Sequence, residues 1–254
     1  MKTLKGNLYL IPCTLGETSP LEVLPLLVKK AVENIDYYIV EHEKSARRFI
    51  KAVASKKQQS SLHIEEINKF TKPQDIPQML EPCLKGQDVG VISDAGCPGI
   101  ADPGAAVVAQ AHKNGIKVVP LVGPSSILLA MMASGFNGQN FAFNGYLPID
   151  KAERKAKIKQ LEKRSIQDNQ SQLFIETPYR NNQMLESLTT ALQKNTDICV
   201  ACDITLSTEF IRTESAQNWK RIKVDLHKRP TMFIIQGKCR YRLYRFCFDI
   251  WGYT

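Results

Sequence analysis

Residues 86 to 104 read GQDVGVISDAGCPGIADPG, and this stretch sets the expectation for the fold. Val89, Gly90, Val91 and Ile92 form an apolar run too short for a helix and suited to a buried strand. The run breaks at Ser93 and Asp94 into a segment carrying Gly96, Pro98, Gly99, Pro103 and Gly104. AAVVAQAHKNG then resumes with helical periodicity to a stop at Gly115. The order is strand, loop, helix. In an open α/β sheet such a loop lies at the carboxyl end of its strand, where the backbone approaches a ligand closely and a helix amino terminus favours negative groups.

The residue types narrow the ligand. Gly96-Cys97-Pro98-Gly99 is neither a GxGxxG fingerprint nor a GxxxxGK[ST] phosphate loop, and no Lys or Arg lies between Gly86 and Gly104 to meet phosphates. The loop carries Asp94 and Asp102 instead. Two acids among glycines suit a ligand with hydroxyls and positive charge, such as a ribose and a sulfonium or ammonium group; the alternative is a pair of Asx turns that closes the loop.

The chain of 254 residues can form one large domain or two of about 120 residues, and two are expected. It has no apolar run of about eighteen residues, and MKTLKGNLYLIPCTLGE turns polar too soon for a signal peptide. A cytoplasmic protein without a membrane span is the expectation. Seven scattered cysteines argue for reduced thiols rather than a disulfide framework. Cys199 and Cys202 make one CxxC inside the apolar run DICVAC, without a second pair at zinc spacing, so no metal site is expected.

Formal charge is +9, and it is unevenly placed. Residues 151 to 165, KAERKAKIKQLEKRS, hold seven bases and two acids, and Phe210 to Thr254 hold ten bases and three acids. Patchy basic surface is the footprint of a nucleic-acid partner. A solvated helix face and a basic tail would give the same counts.

Taken in order, strands alternate with helices. LYLIP opens the chain, a helix runs from Pro20 to about Asn34 with Ser19 as N-cap, and DYYIVE follows as a strand. Helix signals return from Glu43 to Ala54, then come a strand LHIEEI, a helix from about Asp75 to Leu84, the strand and loop above, and a strand IKVVPLV. This pattern implies a mostly parallel sheet covered by helices, ending near Val122. Gly123-Pro124-Ser125-Ser126 opens the helix ILLAMMASG, and beyond it lie FAFNGYLP, the basic helix 151 to 165, the strand QLFIE, the loop Thr177 to Arg180, a helix to about Lys194, and the strands DICVACDI and TMFIIQG. A second sheet results, and a cleft between two lobes is a common place for a small-molecule site.

The ordered motifs SDAGCPGIADPG, GPSS, GYLP and ETPYR resemble the tetrapyrrole methylase family of S-adenosylmethionine-dependent methyltransferases. Within it they look most like the small-subunit ribosomal RNA (cytidine-2′-O)-methyltransferases, with their order SDAG-x-P, SDPG, GPS, GFLP and ESPHR. The resemblance covers roughly residues 7 to 237. It implies two α/β/α lobes, a homodimer, S-adenosylmethionine in the interlobe cleft, and ribosomal RNA as the methyl acceptor. The strand and helix pattern divides the chain into residues 1–122 as an amino-terminal α/β domain with the cofactor loop, 123–240 as a carboxyl-terminal α/β domain, and 241–254 as a basic aromatic tail, which has no match in the family.

Position by position, the resemblance assigns Ser93, Asp94, Ala95 and Gly96 to the cofactor loop, Ile100 and Asp102 to its continuation, and Ser125 and Ser126 to the GPS turn. Tyr146 and Leu147 stand at its GFLP position, and Thr177 and Pro178 at its ESP position. Departures fall elsewhere. The branch has TPIGN where this chain has Cys13 to Glu17, EDTR where it has Glu41 to Lys44, and RELTK where it has Cys202 to Leu206. Cofactor binding is thus better supported than RNA methylation, and a small-molecule methyltransferase or a non-catalytic cofactor-binding protein stays open. Methyl transfer to a ribose hydroxyl needs a group to take the proton, and Glu41, His42 and Glu43 are candidates.

Overall fold

The computed structural model describes residues 4–101 and 104–238; Asp102 and the tail 241–254 lie outside them. The chain divides into two compact units, one of the residues up to Ser126 together with Thr205–Ser207, the other of the remainder.

The first unit contains β1 (Leu8–Ile11), α1 (Pro20–Val23), α2 (Leu26–Asn34), β2 (Tyr37–Val40), α3 (Glu43–Val53), β3 (His63–Glu66), α4 (Ile76–Met79), α5 (Glu81–Leu84), β4 (Val89–Ile92), α6 (Gly104–Lys113) and β5 (Val118–Pro120). Its five strands are all parallel, in the order β3-β2-β4-β1-β5. β4 is central and buried at every position because both faces of the sheet are covered. Val89 and Val91 pack with Leu8, Ile39, Leu80 and Val107 on one face. Ile92 packs with Ile11, Val28, Tyr38 and Ile50 on the other. Gly90 faces that second layer, where an added Cβ would lie 2.8 Å from Ile11 Cδ1 and 3.0 Å from the Tyr38 ring. The glycine lets the tyrosine lie against the sheet.

Two expected helices are broken. Pro25 interrupts the segment 20 to 34, so that α1 ends at Val23 and α2 restarts behind the proline, which cannot donate to the preceding turn. Ser19 does occupy the N-cap position, but its side chain makes no capping bond. The segment 75 to 84 forms two single turns, each with proline at its start.

The second unit contains α7 (Ser126–Ser134) from its second residue on, β6 (Phe141–Tyr146), α8 (Lys151–Asp168), β7 (Ser171–Ile175), α9 (Asn181–Ala191), β8 (Asp197–Cys202), β9 (Phe210–Ser215), α10 (Ala216–Trp219) and β10 (Thr231–Gln236). The sheet order is β6-β7-β10-β8-β9, with β6 parallel to β7 and every other pair antiparallel. Ile158 and Leu161 of α8, Met184 and Leu188 of α9, and Trp219 pack on Phe174, Val200 and Phe233. Trp219 Nε1 satisfies its polarity by donating to the Ile198 carbonyl at 2.8 Å. α8 is capped by Asp150, whose carboxylate accepts from Ala152 N and Glu153 N. Both units are α/β, as expected. β6 and β9 are strands that the periodicity did not single out. Cys199 and Cys202 are three apart on β8, so their side chains leave opposite faces of the strand, and both are buried.

Candidate functional site

The chain leaving β2 runs outward to β3, whereas the chain leaving β4 runs the other way, past β1, to β5. The two connections diverge between β2 and β4, and in an open parallel sheet such a switch point leaves a crevice beyond the strand ends. Val40 of β2 pairs with Ile92 of β4. Two residues farther along each strand are His42 and Asp94, and the register sets them side by side, with Nδ1 of His42 2.6 Å from Oδ2 of Asp94.

The other oxygen of Asp94 accepts from Ser45 Oγ at 2.7 Å, so the carboxylate sits against the first turn of α3, where helix-terminal N–H groups favour a negative charge. The Asp94 N–H donates to Glu41 Oε1 at 3.1 Å. Glu43 is turned away, its side chain bonded to Arg47 Nε at 2.7 Å and its N–H to Glu66 Oε1 at 2.7 Å. Of the three candidate bases, His42 is the one that is exposed and ordered by a carboxylate. The hydrogen bond that Nδ1 donates to Asp94 raises its pKa above the ordinary value, and the negative charges of Asp94, Glu41 and Glu66 add to the effect. This is an imidazole held by one ring nitrogen at the mouth of a crevice, the arrangement that proton transfer uses.

The rest of the glycine-rich loop is fastened to the ends of β1 and β5. Ser93 is buried and its hydroxyl donates to the Ala95 and Gly96 carbonyls at 3.3 and 3.5 Å. The Gly96 carbonyl accepts from Cys13 N at 2.8 Å, and Gly96 itself adopts φ 71°, a conformation that favours glycine. Cys97 Sγ donates to the Pro124 carbonyl at 3.4 Å, which ties the loop to the turn carrying Ser125 and Ser126, both half-buried. Ala95 is exposed, and Ile100 is 54% exposed. Burial, reinforced by the charges of Asp94 and Glu41, pushes the Cys13 thiol well above its ordinary pKa.

Beside this cluster is a cavity of about 380 Å³ between the loop after β1, α3 and the loop after β4. Thr18, Ser45, Arg48, Phe49, Asp94 and Ala95 contribute to its wall. Thr18 Oγ1 is buried there without a hydrogen-bond partner among the described residues. An orphaned hydroxyl and the Asp94 carboxylate fit a ligand with hydroxyls and positive charge, and S-adenosylmethionine has both.

Tyr146, Leu147, Thr177 and Pro178 belong to the second unit. β6 and β7 are parallel and pair through Tyr146 and Ile175, so the residues that follow them emerge at the same sheet end. A bulge at Asn144 and Gly145, where Gly145 takes φ 63°, shifts the register just before Tyr146. Tyr146 is 60% exposed and Leu147 is buried. Thr177 N donates to buried Glu176 at 2.7 Å, and the same carboxylate oxygen accepts from Arg180 at 2.6 Å. The structure thus groups Ser93 to Gly96 with the Ser125–Ser126 turn in one unit, and Tyr146–Leu147 with Thr177–Pro178 in the other. Ser45, Glu66, Arg48 and Thr18 were not apparent in the sequence, because their relevance depends on which strands are neighbours.

Residues 20–218 match the tetrapyrrole (corrin/porphyrin) methylases. The ribosomal RNA small subunit methyltransferase I of Vibrio cholerae serotype O1 is 29% identical over 205 residues, covering 81% of this chain and 67% of that protein. The protein of the same name from Pasteurella multocida is 28% identical over 243 residues, covering 94% and 82%. The crystal structure of the methyltransferase CobJ shares the fold, with a TM-score of 0.62 at 16% identity over 94% of this chain and 97% of that one. The chain belongs to the tetrapyrrole methylase family, whose members are S-adenosylmethionine-dependent methyltransferases.

Proposed function

We propose that the chain binds S-adenosylmethionine through Ser93, Asp94, Ala95, Gly96, Ile100, Asp102, Ser125, Ser126, Tyr146, Leu147, Thr177 and Pro178, and methylates a ribose hydroxyl of small-subunit ribosomal RNA. The cofactor, when bound, supplies an electrophilic methyl group on a sulfonium. The chain's own part is to position a hydroxyl and remove its proton, and the observation that carries this reading is the His42–Asp94 pair at the switch point. His42, held through Nδ1, would take the proton of the acceptor hydroxyl at its other ring nitrogen. Asp94 holds the ring in place and stabilises the imidazolium that forms. The RNA acceptor is supported by the names of the relatives and by the basic surface of α8.

The protein acts in the cytoplasm as a homodimer in this reading. No helix among the described residues is long and apolar enough to cross a membrane, and Leu128 and Met132, exposed on α7, offer apolar surface to a second copy.

Transfer of labelled methyl into small ribosomal subunits from a strain lacking the modification tests the proposal. The unmodified protein transfers label, and His42→Ala loses transfer while retaining calorimetric binding of S-adenosylmethionine. Full transfer by His42→Ala removes the histidine from the mechanism. Binding of the cofactor without transfer to RNA by the unmodified protein overturns the substrate.

A further inference from the structure

α8 carries lysines at positions 151, 155, 159 and 163, a strict four-residue spacing. Residues four apart are neighbours on a helix surface, so the four form one ridge about 18 Å long at 1.5 Å rise per residue. All four are exposed, and none is in an ion pair with a described residue, whereas Lys29, Lys57, Lys85 and Lys238 each are. The buried stripe of the same helix, Arg154, Ile158, Leu161, Glu162 and Ser165, lies beside this ridge and packs toward the sheet and α9.

The ridge borders the seam between α8 and α9, and the seam is hollow at two places. At one end Lys159 and Lys163 line a cavity of about 410 Å³ with Ile166, Gln167, Ala191 and Gln193. At the other, Lys151, Arg154 and Lys155 line one of about 150 Å³ with Gln183, Ser187 and Thr190. At roughly 30 Å³ per water, the smaller cavity has room for about five waters, hence for the five heavy atoms of a phosphate group.

Arg154 gives that cavity its character. It is 2% exposed and donates to Ser187 Oγ at 3.2 Å and to the Ile149 carbonyl at 2.8 Å, but no carboxylate among the described residues lies within ion-pair distance. Its hydrogen-bond partners are all neutral, and Asp150 feels its charge only from beyond ion-pair distance, so the buried guanidinium can take a further anion. The acids nearby do not meet it. Glu162 is turned inward, accepting from Gln193 N and from Thr196 Oγ1, and Glu186 on the wall of the smaller cavity is exposed to solvent.

We infer that the α8–α9 seam is the track that holds the phosphate backbone of the RNA substrate, with one phosphate seated against Arg154 and others along Lys151, Lys155, Lys159 and Lys163. The spacing of the lysines is comparable to that of successive phosphates on a strand, and point-like ammonium groups contact phosphates without reading bases, so the track positions the strand rather than selecting its sequence. This inference rests on the proposed RNA acceptor and adds where that RNA lies.

The test replaces all four lysines with glutamine and compares the variant with a charge-matched control in which Lys29, Lys30, Lys113 and Lys117 are replaced instead. Binding of small-subunit ribosomal RNA is measured over a range of salt, together with methyl transfer to small subunits and calorimetric binding of S-adenosylmethionine. The seam variant keeps cofactor affinity, loses about three units from the slope of log K against log salt at ~0.7 to 0.9 per phosphate contact, and raises KM for subunits about tenfold with kcat unchanged. The control changes the slope by less than one unit. Equal slopes and KM in the seam variant and the unmodified protein overturn the track while leaving the RNA acceptor standing, as do equal losses in seam variant and control. An unmodified protein that binds the cofactor but no ribosomal RNA at low salt overturns both.

Discussion

His42 and Asp94 follow two neighbouring parallel strands at the same level, and their Nδ1 and Oδ2 atoms lie 2.6 Å apart. The pair favours the imidazolium, so the pKa of His42 lies above its ordinary 6.5, with Glu41 and Glu66 adding to the effect of Asp94. A group whose folded pKa is raised contributes stability that is fully present below the unfolded value and is lost as pH rises through the folded one. Asp94→Asn therefore lowers the His42 midpoint toward 6.5. The stability difference between the two proteins is largest below that pH and fades above the folded midpoint. NMR titration of the histidine ring protons, combined with denaturant unfolding over a pH series, reads both. An unshifted midpoint in the variant removes Asp94 as the cause.

Gly96 and Gly135 share a left-handed conformation, φ 71° and 75°, but not an environment. A Cβ on Gly96 would lie 3.2 Å from Leu15 Cδ2 and 3.5 Å from the Pro124 carbonyl, whereas one on Gly135 would meet nothing within 4 Å. Gly135→Ala should lose only the backbone preference, about 1 kcal/mol, and Gly96→Ala that amount plus the cost of moving its neighbours, roughly 2 kcal/mol in all. Gly96→Ala also displaces the loop beside Asp94 and weakens binding of S-adenosylmethionine about tenfold or more, while Gly135→Ala leaves it unchanged. Calorimetry on the two variants separates loop geometry from strain alone, and equal affinities contradict the assignment of this loop to the cofactor.

The strand, loop and helix at 86 to 115 were legible because a fully buried strand is uniformly apolar and because Ser93, Asp94 and three glycines break it sharply. The family was legible from motifs at the ends of strands, where backbone shape and ligand contact constrain residue type most. The pairing of His42 with Asp94 was not, since it depends on β4 lying between β1 and β2, an order that no local pattern encodes. Serine is an ordinary residue in a helix's first turn, so nothing local marks Ser45 as a partner of Asp94. β9 was hidden because it is an edge strand, half polar in FIRTES, and β6 because Asn144 and Gly145 interrupt its alternation with a bulge.

Glu176 holds the turn that follows β7. Its side chain is 1% exposed, while that of its partner Arg180 is 29% exposed. Removing the arginine strands a buried carboxylate, whereas neutralising the carboxylate leaves an arginine that can reach water. Arg180→Ala should therefore destabilise the protein by about 3 kcal/mol and Glu176→Gln by about 1 to 2 kcal/mol, as thermal or denaturant unfolding would report. The reverse order would mean that the turn relies on the charge of the arginine elsewhere.

Cys13 tests what keeps the loops after β1 and β4 closed. It is 4% exposed, and burial, more than the charges of Asp94 and Glu41, raises its thiol pKa. Cys83 is pushed up to about 11, again mainly by burial. Alkylation proceeds through the thiolate, so both thiols should stay unmodified by iodoacetamide at pH 8 in the folded protein and react once it is unfolded. Because burial dominates, Asp94→Asn alone should leave Cys13 protected. Gly96→Ala should not, since the Gly96 carbonyl accepts from Cys13 N at 2.8 Å and a displaced loop uncovers the sulfur, while Cys83 stays protected as an internal reference. Peptide mass spectrometry after timed alkylation gives the rates. Rapid labelling of Cys13 in Asp94→Asn at unchanged stability would mean that the carboxylate and its bonds to His42 and Ser45, rather than the backbone clamp at Gly96, keep the two loops together.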